Sequence, residues 1–228
     1  MPLLNSENTV VIACSMMKNE INRVFADHDL KYPIVWLEKG LHEYPEKLKE
    51  ELAKRICEYN RMPYIILLYG MCGYAVTGLS ADGSTLVIPK FDDCVRMLMC
   101  LNKGELIQTE AGHLYVTDEW VTSEKFLLKE FDGYIETYGK RKGQMIAKMM
   151  IGNYSGIDVI DDGTYDAPAC AESIREKAES YGLTCQCVRG TLRVIEKILL
   201  GEWDEEVVVK APGETVSMDD FDDRTRCI

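Results

Sequence analysis

Short apolar runs alternate along this chain with longer stretches whose apolar residues recur every three or four positions. Residues 9–13, 33–37, 64–69 and 85–89 are rich in Val, Ile and Leu and predict strands. The run at 64–69 is bounded by Pro63 and Gly70 and has no polar alternation, which suits a strand buried on both faces of a parallel sheet. Residues 16–26 form a helical stretch whose polar face carries Lys18, Asn19, Asn22 and Arg23. Residues 46–59 place Leu48, Leu52 and Ile56 four apart, with Pro45 suited to the first turn of that helix. Asp92-Asp93-Cys94 opens a further helix to about Leu101, a carboxylate there capping exposed N–H groups.

The middle of the chain reads differently. Residues 112–117 predict a short strand or hairpin arm. Residues 123–138 and 142–151 predict two helices, separated by Gly139 and a basic cluster and covering one side of a sheet. Strand–helix alternation then resumes. A strand at 157–160 ends in Asp161-Asp162-Gly163, and a helix runs from Asp166 to Tyr181. A strand at 183–188 precedes a helix that starts at Gly190-Thr191-Leu192-Arg193 and stops at Gly201. A last strand at 207–210 leads into an acidic tail, expected to fray from Met218. This alternation implies an α/β fold, a largely parallel Rossmann-like sheet arrangement with helices on both faces, organised as two similar lobes around a cleft. The expected divisions are an N-terminal α/β lobe at 1–104, a helical segment at 105–152, a C-terminal α/β lobe at 153–214 and the tail at 215–228.

Charge removes several function classes. The net charge of −12 argues against nucleic acid and anionic membranes, which both call for basic patches. Residues 62–81 carry no charge, but Pro63, three glycines, Thr77 and Ser80 interrupt the stretch, so it reads as a buried strand and turn and not as a membrane span. Met1 to Glu7 lacks the basic start and apolar core of an export signal, and a cytoplasmic protein with reduced thiols is expected. The nine cysteines then read as core residues, metal ligands or nucleophiles.

Right-handed crossovers put the C-terminal ends of parallel strands on one edge. Cys14, His42, Cys72 and Cys94 each follow one of the first four strands and are expected at that edge, where open α/β sheets bind ligands. Gly70 and Gly73 bracket Cys72 and would let a substrate approach the backbone. Three thiols suit an iron–sulfur cluster with an open iron, or zinc completed by His42, an aspartate such as Asp92, or water. His42 and Asp92 are also the candidate proton carriers. A nucleophilic cysteine is the alternative: Cys94 at a helix N-terminus or Cys72 between glycines, with His42 as base. Core packing is the plain reading for all three, and the expected one for Cys57, Cys100, Cys170, Cys185 and Cys187. Arg193, in a turn with unpaired N–H groups, could seat an anionic substrate or sit at the surface beside an ordinary cap. Asp161, Asp162 and Glu214 also lie at predicted strand ends. No GxGxxG or Walker-type loop is present, which argues against dinucleotide and ATP sites.

Ala13-Cys14, Gly40-Leu41-His42 with Pro45, Tyr69-Gly70-Met71-Cys72-Gly73, Ile88-Pro89 with Asp93-Cys94, Gly190-Thr191-Leu192-Arg193 with Gly201-Glu202-Trp203-Asp204, and Pro212-Gly213-Glu214 occur in this order. In that order they resemble an uncharacterised domain-of-unknown-function family of anaerobic archaea and bacteria. Its members are often encoded beside corrinoid-dependent methyltransferases of methylamine and betaine metabolism. The resemblance implies a role in anaerobic one-carbon metabolism, with a small-molecule substrate or a corrinoid protein as partner, and a shared pattern formed by Cys14, Cys72 and Cys94. It also implies a histidine before the Asp-Cys pair, where this chain has Asp92. A non-catalytic accessory protein that binds a corrinoid is a further expectation from the same source.

Overall fold

The computed structural model describes residues 2–105 and 107–221. The chain begins with β1 (Thr9–Cys14), α1 (Lys18–Asp27), β2 (Ile34–Leu37), α2 (Pro45–Glu58), β3 (Tyr64–Leu68), β4 (Thr85–Pro89) and α3 (Cys94–Met99). It continues through β5 (His113–Val116), α4 (Asp118–Val121), α5 (Leu127–Met150), β6 (Gly156–Asp161), α6 (Ala167–Ser180) and β7 (Thr184–Arg189), and closes with α7 (Arg193–Leu199) and β8 (Val207–Lys210). Two compact units result, one of Met1–Ile107 with Thr191–Ile228 and one of Gln108–Gly190.

In the first unit, the described strands form a sheet in the order β2-β1-β3-β4-β8, parallel except for β8, which runs antiparallel to β4. β1 is buried along its whole length, and Ile65 to Leu68 of β3 are buried too. Central strands covered on both faces read as unbroken apolar runs, as these do. The chain steps from β1 outward to β2 and then back past β1 to β3, so right-handed crossovers set α1 and α2 on opposite faces. α2 buries the expected stripe of Leu48, Leu52 and Ile56. α7 lies against β3 and β4 and beside α1 and α3, burying Val194, Ile195, Ile198 and Leu199. It ends as expected at Gly201, whose φ of 77° lets the Gly201 and Glu202 N–H groups return to the carbonyls of Ile198 and Lys197.

The second unit is built around a parallel sheet in the order β5-β6-β7. The 112–117 segment is therefore a parallel strand and no hairpin arm. Both crossovers step the same way, which places α4, α5 and α6 on one face. There Val116, Phe126, Phe131, Ile157, Val159 and Leu183 form the core. α5 breaks at Gly139 (φ 77°, ψ 159°), as the sequence expects, and its second half folds back on the first. Gly143 permits that approach, because a Cβ there would lie 2.5 Å from the Ile135 Cα.

The divisions fall elsewhere than the sequence suggests. β5 and the 123–151 helices belong with β6 and β7, while α7 and β8 return to the first sheet. β8 pairs Val209 with Val87 and covers an edge of β4 that would otherwise stand open. The tail is ordered further than expected. Thr215 bridges to Ser80, Val216 exchanges backbone bonds with Gly78 and Leu79, and a 3-10 turn at Met218–Asp220 is held by a Ser217–Asp220 capping box. The remainder of the expected frayed tail, 222–228, lies outside the described residues. Among the described residues, no helix is long and apolar enough to cross a membrane; the uncharged stretch at 62–81 is β3 and the loop after it.

Candidate functional site

In the first sheet, the order of connections reverses between β1 and β3, and the crevice outside the carboxyl ends at such a reversal is the usual ligand position. Cys14 is the last residue of β1, Cys72 lies in the loop after β3, and Cys94 is the first residue of α3 after β4. The two later loops are stitched together: the Met71 N–H donates to the Phe91 carbonyl and the Cys72 N–H to the Asp92 carbonyl, each at 2.8 Å. Gly70 makes this possible, since a Cβ there would sit 2.6 Å from the Asp93 nitrogen. Cys72, Gly73 and Tyr74 follow in left-handed conformation, with φ of 45°, 65° and 73°. For cysteine and tyrosine that region is strained, and strain of this kind gathers at ligand sites. Gly73 also faces Pro45, whose Cγ would be 2.9 Å from an added Cβ.

The thiols act on one another. Cys14 is buried, while Cys72 and Cys94 are half-buried. Burial pushes the Cys72 thiol up to about 12, and Asp93 and Cys14 add to the shift. Burial likewise raises Cys94 well above the ordinary thiol range, helped by Asp93, Cys14, Cys72 and Glu20. Cys14 is raised by burial against the opposing pull of the Met16 N–H, the Tyr69 hydroxyl and Lys39, with Glu20 pushing up again. The Tyr69 phenol, itself raised by burial, feels Cys14, Cys72 and Cys94. Such mutual effects require short separations in a poorly screened place. Three thiols from three separated loops therefore share one neighbourhood.

Among the described residues, no three His, Cys, Asp or Glu side chains stand together in an arrangement that could hold an ion. The donor chemistry suits a soft cation all the same, because three sulfurs lie beside two carboxylates, Asp93 and Glu20. The same surroundings hold the thiols neutral at ordinary pH, whereas nucleophilic cysteines depend on a lowered thiol pKa.

The remaining expected residues are placed as follows. His42 is exposed in a 3-10 turn, Leu41–Glu43, and is not among the groups acting on the thiols. Asp92 contributes its carbonyl to Cys72, while the neighbouring Asp93 is the carboxylate that acts on Cys72 and Cys94 and caps α3 through the Arg96 N–H. Arg193 directs its guanidinium at Glu206 in two bonds of 2.7 and 2.8 Å, and at the Cys100 carbonyl and sulfur. Gly70 and Gly73 serve the close approach of loop backbone and of Pro45. Asp162 bonds to Thr164, and Glu214 accepts from the Ala211 N–H, each within its own loop. Cys100 and Cys185 are buried as expected, but Cys57 and Cys187 are exposed. Cys57 lies beside the apolar stripe of α2, and Cys187 lies on the edge strand β7.

Sequence reasoning missed Tyr69 and Glu20. Each had a signal. Tyr69 puts a hydroxyl at the end of an apolar run, immediately before Gly70. Glu20 interrupts the buried stripe of Met17, Ile21 and Val24 and is itself fully buried.

The family described as "Protein of unknown function (DUF1638)" matches residues 36–199, more than half of the chain, and the chain belongs to that family. The matched region holds Cys72 and Cys94 and begins after Cys14. No curated protein and no solved structure matches the chain.

Proposed function

For this member of DUF1638 we propose a thiol site that takes up a soft metal ion, zinc or iron, or an iron–sulfur cluster, with Cys14, Cys72 and Cys94 as its ligands. The observation that supports this most is the placing of the three sulfurs at the ends of adjacent strands, beside the Asp93 and Glu20 carboxylates. Burial holds them neutral, Asp93 and neighbouring thiols raise Cys72 and Cys94 further, and Glu20 raises Cys14 and Cys94, an arrangement that a bound cation would relieve. Glu20, which acts on both Cys14 and Cys94, is the better-placed oxygen donor than His42 or Asp92. Uptake would draw the sulfurs closer together, and the left-handed turn at 72–74 is the part of the chain best suited to adjust. A bound metal with an open position would supply Lewis-acid or sulfur chemistry. The setting we infer is the one the resemblance implies, anaerobic methyl-transfer or sulfur metabolism in a reducing compartment, with a small-molecule substrate or a corrinoid protein as partner.

Anaerobic purification and reconstitution with zinc, or with iron and sulfide, tests this reading. Metal per chain and visible absorption are the readouts. The expected result is uptake by the wild type and its loss in Cys14→Ser, Cys72→Ser and Cys94→Ser. A wild type that neither carries nor takes up zinc or iron overturns the reading.

Corrinoid binding is the second reading, favoured by the crevice between the ends of β1 and β3. Titration with cobalamin would then give a spectral change that survives Cys72→Ser. The raised thiols speak against a nucleophilic cysteine; one hyper-reactive cysteine on thiol labelling at neutral pH would restore that reading.

A further inference from the structure

β6 opens with Gly156, and a glycine inside a strand often makes room for a close neighbour. Here the neighbour is the His113 imidazole: a Cβ on Gly156 would stand 2.7 Å from the ring Cε1 and 2.8 Å from Nε2. Each ring nitrogen meets a carboxylate. Nδ1 is 2.9 Å from Oδ2 of Asp158 on β6, and Nε2 is 3.1 Å from Oε2 of Glu110 in the turn before β5. The two carboxylates differ in their access to water: the Asp158 side chain is 1% exposed, that of Glu110 71%. Two further titratable groups face this arrangement. The Tyr115 hydroxyl accepts from the Glu110 N–H and donates to Asp158, and Cys185 of β7 feels Asp158. An ionised carboxylate only accepts, and an imidazole carries two N–H groups only in its protonated form; the neutral ring has one donor and one acceptor. Both contacts are therefore hydrogen bonds only while the ring holds both protons.

We propose that His113 is a proton-dependent latch on the segment by which the chain enters the second unit at Gln108. Protonated, the ring bridges Asp158 and Glu110 and holds that segment to β6. When the ring gives a proton to water, one N–H is left for two acceptors. Asp158 keeps it, because a buried carboxylate short of a donor costs far more than an exposed one that can turn to water. The Nε2 lone pair then faces the Glu110 carboxylate, two acceptors with no hydrogen between them, and the Glu110 side chain swings out. The latch thus opens as pH rises through the imidazole range and closes as pH falls. It uses none of the thiol-site residues and does not rest on the proposed function.

The test compares wild type with Glu110→Gln. The substitution is at an exposed side chain and keeps its length, so the variant should fold. Its amide accepts from a protonated ring and donates to a neutral one, so the variant keeps the bridge in both forms. Hydrogen–deuterium exchange of the peptide spanning 108–116, corrected for the intrinsic pH dependence of exchange, is read at about pH 5.5 and about pH 8.5, on either side of the imidazole range. Ring nitrogen-15 NMR at the higher pH, assigned through the His113 backbone, reports which nitrogen keeps the proton. In the wild type, protection should fall by about twofold to fivefold at the higher pH, the worth of an ion pair with one exposed member. In Glu110→Gln it should not change between the two, and the neutral wild-type ring should carry its proton on Nδ1. Equal protection of the wild type at both pH values, the same fall in the variant, or a neutral ring protonated on Nε2 would each overturn the proposal.

Discussion

Two clusters of ionisable side chains stand in the first unit, and they are built on opposite terms. In one, Arg193 grips Glu206 with two bonds, Lys197 bridges Glu206 and Asp204, and Lys103 reaches Asp204 and Glu205. Burial pushes the Asp204 carboxyl up, but hydrogen bonds from Lys103 and Lys197 overcome it and hold the group well below the usual carboxylate range. Glu206 is lowered against burial in the same way by Arg193 and Lys197. In the other cluster, Cys14, Cys72 and Cys94 are all pushed towards their neutral forms by burial first; Asp93 and then neighbouring thiols add to this at Cys72 and Cys94, and Glu20 at Cys14 and Cys94. The first cluster is complete. It ties α7 to the start of β8 and to the end of α3. In the second, thiols stand beside the Asp93 and Glu20 carboxylates, and the metal proposed above would complete it. Reading function from burial alone would treat the two alike; the sign of the neighbours separates them.

The largest expected effect comes from breaking the complete cluster. Glu206→Ala would leave Arg193 and Lys197 short of their shared acceptor, and removal of one partner from a buried ionic group costs about 3–5 kcal/mol. Chemical denaturation of wild type and variant measures this. Zinc or iron uptake per folded molecule is expected to be unchanged, because none of the altered groups acts on the three thiols. A variant that folds stably but loses uptake would show that the clusters are one site.

Gly70→Ala should affect both stability and uptake. Its Cβ would meet backbone atoms of residues 92 and 93, which cannot swing aside as a flexible side chain can. Overpacking of this kind costs about 1–3 kcal/mol. The added methyl would separate the loops bearing Cys72 and Cys94, so metal uptake should fall along with the denaturation midpoint. Full uptake by the variant would count against convergence of these loops as the basis of the site.

Much of this arrangement was legible before the structure. Strands buried on both faces leave unbroken apolar runs, so β1, β3 and β4 and their shared edge could be read from composition. The break at Gly139 was legible because glycine alone takes that conformation easily. The strand at 207–210 was legible too, but its pairing with β4 was not, because β4 is more than a hundred residues away and the pairing of Val87 with Val209 leaves no local mark. The cysteines stood out by residue type and position at strand ends. Tyr69 and Glu20 did not, since a tyrosine in an apolar run reads as core and a glutamate in a helix reads as surface. Choosing between Asp92 and Asp93 required the first turn of α3, which depends on backbone bonds that periodicity does not resolve.

The clusters should also divide the pH dependence of stability between them. Unfolded carboxylates bind protons below about pH 4.5 while Asp204 and Glu206 resist, so their stabilisation is present above that pH and lost as pH falls. For the thiols the sign is reversed. An unfolded cysteine ionises near 9.0 while folded Cys72 holds its proton to about 12, so its contribution is present below pH 9 and lost as pH rises through that window. Each thiol contributes a slope of at most about 1.4 kcal/mol per pH unit there. Denaturation series in acid and alkali should show Glu206→Gln flattening the acid limb and Cys72→Ser the alkaline one. Metal uptake, which releases thiol protons, should tighten with rising pH by up to about tenfold per unit for each proton released.

The smallest effect offers the sharpest contrast. Asp93 accepts from the Arg96 N–H at 2.8 Å and raises both Cys72 and Cys94. Asn caps a helix about as well as Asp, so Asp93→Asn should change stability by only a few tenths of a kcal/mol. It would remove the negative charge that opposes ionisation, and alkylation of Cys72 and Cys94 at a fixed pH should accelerate by about threefold to tenfold. The same change at Asp204 removes the counter-charge of Lys103 and Lys197 and should destabilise the fold without touching thiol reactivity. If Asp93→Asn instead destabilised the protein as Asp204→Asn does, and left alkylation unchanged, the carboxylate beside the thiols would be one more structural ion. The crowding of Cys14, Cys72 and Cys94 would then be ordinary packing at the end of a sheet, and no outside cation would be needed to complete it.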